Sequence, residues 1–219
     1  MFDVYGTMFV SGAGDISVAG KEKNEEALRE AFEEVGFEVK CHRGVARGVQ
    51  LFNDAVAERH AALRKLGVVC AEVQVDRLWQ KVLQRLLQES QIARLPPGNI
   101  PETAARLAVL YECRANPVWP MPGLVSVLSQ IAGKWRMGIV SNAQFFTGML
   151  FPALMGRELT DFGFDAQLCS WSYELQVAKP CVELFEPNLE RLSTVYGIGP
   201  ENVVYVGNDM LNDISAAAR

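Results

Sequence analysis

The chain has 219 residues, 49% of them hydrophobic and 21% charged, with a formal charge of -5. That length allows one substantial core and a smaller satellite, and the composition excludes a disordered or low-complexity polymer. The acidic balance argues against a general grip on nucleic acid, which leaves a basic footprint, although a small anion can still be held locally.

No stretch approaches the roughly 20 apolar residues that span a membrane, and no basic segment followed by an apolar core opens the chain. Membrane insertion and secretion are therefore not expected. The five cysteines, Cys41, Cys70, Cys113, Cys169 and Cys181, are odd in number and far apart, without a C-x-x-C pair. Such usage fits reduced thiols in a cytoplasmic compartment.

The opening, Met1-Phe2-Asp3-Val4-Tyr5-Gly6-Thr7, reads as the tail of a buried strand entering a turn at Gly6. Only two residues precede Asp3, so further residues are expected in front of Met1. From Lys21 to about Asn116 the pattern is helical. Ala27, Leu28, Ala31, Phe32 and Val35 share a face before Gly36, as do Val49, Phe52, Val56, Leu63 and Leu66 before Gly67. A third run carries Val75, Leu78, Trp79, Val82, Leu86 and Leu87, and a fourth carries Ala104, Leu107, Ala108 and Tyr111 between Pro101 and Pro117. Four amphipathic helices with short connections predict a compact bundle, in which Trp79, Tyr111 and Trp119 are packing residues.

After Pro122 helix and strand alternate. Helices are predicted near 124–132, 146–155 and 182–196, and strands near 136–140, 166–171 and 202–206, with another helix beginning after Asp213. The chain reaches Arg219 without a closing strand, so a further C-terminal piece is expected. Alternation of this kind implies a doubly wound parallel sheet of Rossmann-like type, whose sites lie beyond the carboxyl ends of the strands.

The polar residues at those ends are the candidates. Asp3 can serve there as nucleophile, metal ligand or base, or merely cap a turn. Ser141 and Asn142 can hold an anionic oxygen without adding charge, or cap the next helix. Lys179, beside Pro180, can reach a carboxylate or phosphate, or simply face solvent. Asp209 and Asp213, with Asn208, offer hard oxygen ligands suited to Mg²⁺; alternatively Asp209 caps a helix with Asp213 in its first turn.

Taken in order, Asp3-Val4-Tyr5-Gly6-Thr7, Val140-Ser141-Asn142, Lys179-Pro180 and Gly207-Asn208-Asp209 with Asp213 resemble the four motifs of the haloacid dehalogenase superfamily. The resemblance covers nearly the whole chain. It implies an α/β core at residues 1–14 and 119–219, and a helical cap at residues 15–118 inserted between the first and second motifs. It further implies that Asp3 attacks phosphorus or carbon to form an aspartyl intermediate. Ser141, with Asn142, would bind the transferring group, and Lys179 would orient Asp3. Mg²⁺ would be held by Asp3, the carbonyl of Tyr5, Asn208 and Asp209 or Asp213.

Tyr5 is the main departure, since phosphatases of the superfamily usually carry an acid two residues after the nucleophile. A phenol, with an ordinary pKa near 10, is a poor proton donor near neutrality. The first expectation is a Mg²⁺-dependent phosphatase acting on a small phosphorylated metabolite. A metal-independent 2-haloacid dehalogenase and a non-catalytic binding protein are the alternatives. Arg43 and Arg47 are the candidate contacts for an anionic substrate, with His42 a loop residue and His60 on a helix surface. Neither nucleic acid nor a membrane is an expected partner, and the oligomeric state is open.

Overall fold

The computed structural model describes residues 1–12, 21–37, 42–92 and 98–218, with backbone alone at Lys21, Glu22 and His42. Cys41 lies outside the described residues, as does the side chain of His42. The chain divides into two compact units. One comprises Met1–Ser11, Gly67–Glu72 and Trp119–Arg219, and the other Gly12–Leu66 and Val73–Val118.

The second unit contains α1 (Lys21–Val35), α2 (His42–Lys65), α3 (Val75–Gln88) and α4 (Ile100–Ala115). Their apolar stripes meet in one core, where the Trp79 ring stacks on Phe52 at 4.5 Å and meets Tyr111 edge-on at 5.3 Å. Removing each of these side chains from water contributes about 1.5–3 kcal/mol or more. Asn99 starts α4 by accepting the N–H of Glu102, with Pro101 in the first turn where its missing N–H leaves no bond unmade.

The first unit contains β1 (Phe9–Ser11), paired with β2 (Val118–Pro120), then α5 (Leu124–Ile131), β3 (Met137–Ser141), α6 (Leu150–Met155), β4 (Phe164–Trp171), α7 (Ser172–Leu175) and α8 (Glu186–Tyr196). β3 runs parallel to β4, and Phe2 bridges in parallel to both Ile139 and Val206. All of β3 is buried. Its Met137 and Ile139 pack with Val4, Phe9, Leu128, Phe151 and Phe164, whereas Val140 packs with Leu184, Phe185 and Ala216 on the other face. A parallel sheet covered on both faces is the α/β arrangement that the alternation predicts.

Several elements differ from the sequence reading. Residues 203–206 form no full strand: Pro200–Asn202 is a 3-10 turn, and the following segment bonds to residues 1–3 through Met1 N to Val204 O and Asp3 N to Val206 O. Val204 remains 74% exposed, so pairing rather than burial aligns this segment. The last helix begins earlier than Asp213, as a π-helical turn over Met210–Ser215. α6 and α8 are each preceded by a 3-10 turn, and each holds a proline, Pro152 or Pro187, in its first turn. Trp119 is 55% exposed and is not a core residue.

The cysteines are also not all free. Cys70 and Cys181 form a disulfide across 111 residues of sequence, while Cys113 and Cys169 are thiols. Spacing along the chain could not reveal this pair, because the fold brings the two Cα atoms to 5.8 Å. No described helix is long and apolar enough to cross a membrane.

Candidate active site

Asp3 leaves the sheet into a tight turn in which Met8 and Phe9 both donate their N–H groups to Val4 O. Gly6 has φ of 83°, and a Cβ there would lie 2.5 Å from the side chain of Asn208. The positive φ favours glycine, and any side chain there would also have to displace Asn208. The turn leaves Asp3 only 4% exposed, at the carboxyl end of the parallel sheet.

There the ends of two further segments reach its carboxylate, and a third joins through Lys179. Asp3 Oδ1 accepts from Ser141 Oγ at 2.9 Å and from Lys179 Nζ at 2.7 Å, and Oδ2 lies 3.5 Å from Thr7 Oγ1. Lys179 Nζ also donates to Asp213 Oδ1 at 2.5 Å and lies 3.2 Å from the hydroxyl of Tyr205. That hydroxyl donates to Val140 O at 2.8 Å, with Asp213 Oδ1 at 3.1 Å. Asp213 Oδ2 accepts the backbone N–H groups of Asn208 and Asp209, both at 2.9 Å. Gly207 permits this approach, because a Cβ there would lie 2.4 Å from Asp213 Cγ.

Two carboxylates thus share one buried ammonium. Burial pushes the Asp3 carboxyl above its ordinary range, against the opposing pull of Lys179. For Asp213 burial acts in the same upward direction, but Lys179, the Asp209 N–H and Tyr205 together hold its carboxyl below the ordinary value. Burial first, then the charges of Asp3 and Asp213, raise the Tyr205 phenol and keep it protonated. The result is a desolvated, oriented carboxylate at Asp3, which suits a nucleophile.

The other candidates take different places. Asn142 Oδ1 accepts the backbone N–H of Lys179 at 2.7 Å, so the expected anion-holding pair is divided: Ser141 faces Asp3, and Asn142 braces the lysine loop. The hydroxyl of Tyr5 lies 3.0 Å from Thr147 Oγ1, which is buried and accepts the N–H of Gln144. Asp209 Oδ1 caps the π-helical turn by accepting from Leu211 and Asn212, and Asp213 falls within that turn. On the helical unit, Arg47 is committed to a two-pronged bond with Glu89 at 2.8 Å, and Arg43 is exposed on α2. The Arg47 bonds hold the Glu89 carboxyl down at about 2. Arg47 thereby ties α2 to the end of α3. His60 is half-buried on α2.

Sequence reasoning missed Tyr205 and Thr147. Tyr205 carried a signal, standing two residues before Gly207 in an apolar run that leads into the Asn208–Asp209 loop. Thr147 carried none, because its role depends on the fold bringing it to Tyr5.

The oxygen chemistry decides whether Mg²⁺ suits this place. Asp213 has both oxygens engaged and Asp209 is a cap, and the described residues hold no cluster of three acidic, histidine or cysteine side chains fit for a metal. Asp3 Oδ2 and Asn208 Oδ1 both face the Thr7 hydroxyl, at 3.5 and 3.4 Å. One carboxylate and one amide oxygen fit a cation that keeps several waters and takes further ligands from substrate phosphate.

The profile of the haloacid dehalogenase-like hydrolases matches residues 1–219. No curated protein matches the chain. Among solved structures, YfnB from Bacillus subtilis, described as a HAD-hydrolase bound to magnesium, is 16% identical with a TM-score of 0.49, covering 99% of this chain and 82% of its own. A dehalogenase, 16% identical with a TM-score of 0.43, covers 99% of this chain and 78% of its own. A subfamily IA hydrolase from Geobacter sulfurreducens PCA is also 16% identical, with a TM-score of 0.43, and covers 99% of this chain and 80% of its own. With its whole length matched by the family profile, this chain belongs to the haloacid dehalogenase-like hydrolases.

Proposed function

We propose that this hydrolase cleaves small phosphate monoesters through a covalent intermediate on Asp3, with Mg²⁺ held by Asp3 and Asn208. The observation that carries the nucleophile is the buried pair of Asp3 and Lys179, whose side chains are 5% and 3% exposed. An ammonium 2.7 Å away favours the charged form of Asp3 against its burial and orients the carboxylate.

In this reading a carboxylate oxygen of Asp3 attacks phosphorus, the bond to the alcohol oxygen breaks, and water then hydrolyses the acyl phosphate. Ser141 donates to the transferring group. Lys179, Tyr205 and Asp213 hold the carboxylate in line. Asp3, Asp213 and Lys179 together carry one net negative charge, so an incoming phosphate needs added positive charge. Asp3 and Asn208 would hold a Mg²⁺ ion that, when bound, would supply this charge.

A second reading, carbon–halogen cleavage, is favoured by the contact of Tyr5 with Thr147. The sequence puts a phenol rather than an acid two residues after Asp3, and the contact holds its hydroxyl at Thr147. A halide leaves without a proton and a haloacid brings less charge to the cluster, so neither a proton donor nor a metal is required.

The test is product release with and without Mg²⁺. Phosphate released from 4-nitrophenyl phosphate only with Mg²⁺ supports the first reading. Mg²⁺-independent halide from 2-chloropropionate supports the second. Release of neither from these and a panel of related substrates would sink both and leave a binding role.

A further inference from the structure

We infer that residues 70–72 are a positioning clamp for the Lys179 loop, with Glu72 and the Cys70–Cys181 disulfide as its two fastenings. The inference rests on the hydrolase reading of Asp3 and Lys179. The segment Gly67–Glu72 lies in sequence between two helices of the bundle, yet it folds with the sheet-bearing unit.

Three kinds of contact tie it there. Ala71 bridges antiparallel to Val177, flanked by hydrogen bonds from Ala178 N to Cys70 O at 2.7 Å and from Glu72 N to Gln176 O at 3.1 Å. The disulfide then joins Cys70 to Cys181, two residues beyond Lys179. Finally, the Glu72 carboxylate accepts from Ser172 Oγ at 2.9 Å and from Gln144 Nε2 at 3.4 Å. Ser172 Oγ in turn accepts the N–H of Ala143 at 2.8 Å.

The clamp therefore grips both loops that serve Asp3. Residues 176–181 carry Lys179, and residues 141–144 carry Ser141 and Asn142. Within the first loop, Gln176 has φ of 56°, a left-handed conformation costly for a residue with a side chain. Such a conformation persists where its surroundings over-determine it, and here the N–H of Glu72 takes the Gln176 carbonyl. Loosening the clamp should let the loop relax and carry the Lys179 ammonium away from Asp3.

Cys70 and Cys181 are half-buried, so a small dithiol can reach them. A thiolate of the dithiol attacks one sulfur, the Cys70–Cys181 bond breaks, and the second dithiol thiol closes the reagent into a cyclic disulfide. Two electrons and two protons pass to the cysteines, leaving two thiols. Thiol-reducing compartments favour the open state and oxidising ones the closed state.

The test compares oxidised protein with protein reduced by dithiothreitol and then returned to oxidised dithiothreitol. Two readouts are independent of turnover: amide exchange across residues 176–181, and acylation of the Lys179 side-chain amine located by mass spectrometry. Reduction should speed both by at least about 10-fold, as local opening does. It should also lower kcat by about 10-fold or more with little change in KM, since small misplacements cost up to about 100-fold. Reoxidation should reverse all three effects.

The Cys70→Ser/Cys181→Ser variant should match the reduced protein and ignore dithiothreitol. Glu72→Ala should lower kcat with KM little changed, and Glu72→Gln, which keeps an acceptor for Ser172, should recover most of the loss. Unchanged exchange and acylation on reduction would overturn the clamp, as would faster exchange with Lys179 still protected and kcat intact. If no substrate turns over, the hydrolase reading fails, while exchange and acylation still decide the clamp.

Discussion

Lys179 donates to Asp3 Oδ1 at 2.7 Å and stands between that carboxylate and the one on Asp213, so a single cation holds two buried acids in register. Replacing Asp3 by Asn keeps the shape and the acceptor oxygen but removes the nucleophilic charge. Turnover should fall by at least about 1,000-fold, while the thermal midpoint stays near or above that of the parent. Full activity in Asp3→Asn, measured by product release with the fold checked by circular dichroism, would sink the covalent route.

Removing the cation has a different signature. Lys179→Met leaves Asp3 and Asp213 buried without compensation, a situation that costs about 3–5 kcal/mol. Asp3 attacks when ionised, and burial raises its carboxyl in the metal-free protein, so kcat/KM for any Mg²⁺-independent release should climb with pH through a limb above the ordinary aspartate range. Loss of the ammonium disfavours the charged form further. In Lys179→Met, residual kcat/KM should therefore rise at still higher pH; a limb moved to lower pH would contradict the assigned pairing.

Tyr5 should shape the choice of leaving group. Its hydroxyl contacts Thr147 Oγ1, and the groups bonded to Asp3 are two hydroxyls and the lysine ammonium. None is a carboxylic acid or an imidazole, the groups that ordinarily give a proton to a leaving alkoxide near neutrality. Across a series of aryl phosphates kcat/KM should fall steeply as the phenol becomes more basic, and simple alkyl phosphates should be poor substrates. A flat dependence would reveal a proton donor outside this set.

How far the sequence foretold this site depends on the range of the interaction. Asp3, Ser141, Lys179 and Asp213 could be read because each follows an apolar strand or sits at a proline, and such ends meet at one edge of a parallel sheet. The helices of the bundle were legible from their periodicity, with Gly36 and Gly67 marking two of their ends. What was not legible was long-range and non-periodic: the Tyr5–Thr147 contact, the Arg47–Glu89 pair and the disulfide between Cys70 and Cys181. Asp209 shows a local alternative winning, as the backbone N–H groups of Leu211 and Asn212 claim its side chain.

The disulfide closes a loop of 111 residues, and cross-links that close long loops restrict the unfolded chain most. Cys181→Ser should lower stability by about 2–4 kcal/mol in denaturant titrations under oxidising conditions. Under reducing conditions parent and variant should be nearly equal. A difference that survives reduction would trace to packing at Cys181 instead.

Glu112, in the helical unit, offers a prediction that does not involve the site. Burial raises its carboxyl from the ordinary value of 4.5 to about 7, although Asn116 donates to it and pulls the other way. Between those two values the folded protein holds a proton that the unfolded chain has released. Stability from this group is thus fully present below about pH 4.5 and declines as pH rises through about 7. Glu112→Gln keeps the size and an acceptor for Asn116 but never carries the buried charge. The variant should therefore gain about 3 kcal/mol over the parent at pH 8, and the gain should shrink towards pH 5. Thermal or urea unfolding at the two pH values checks this, and an equal difference at both would show that Glu112 remains charged throughout.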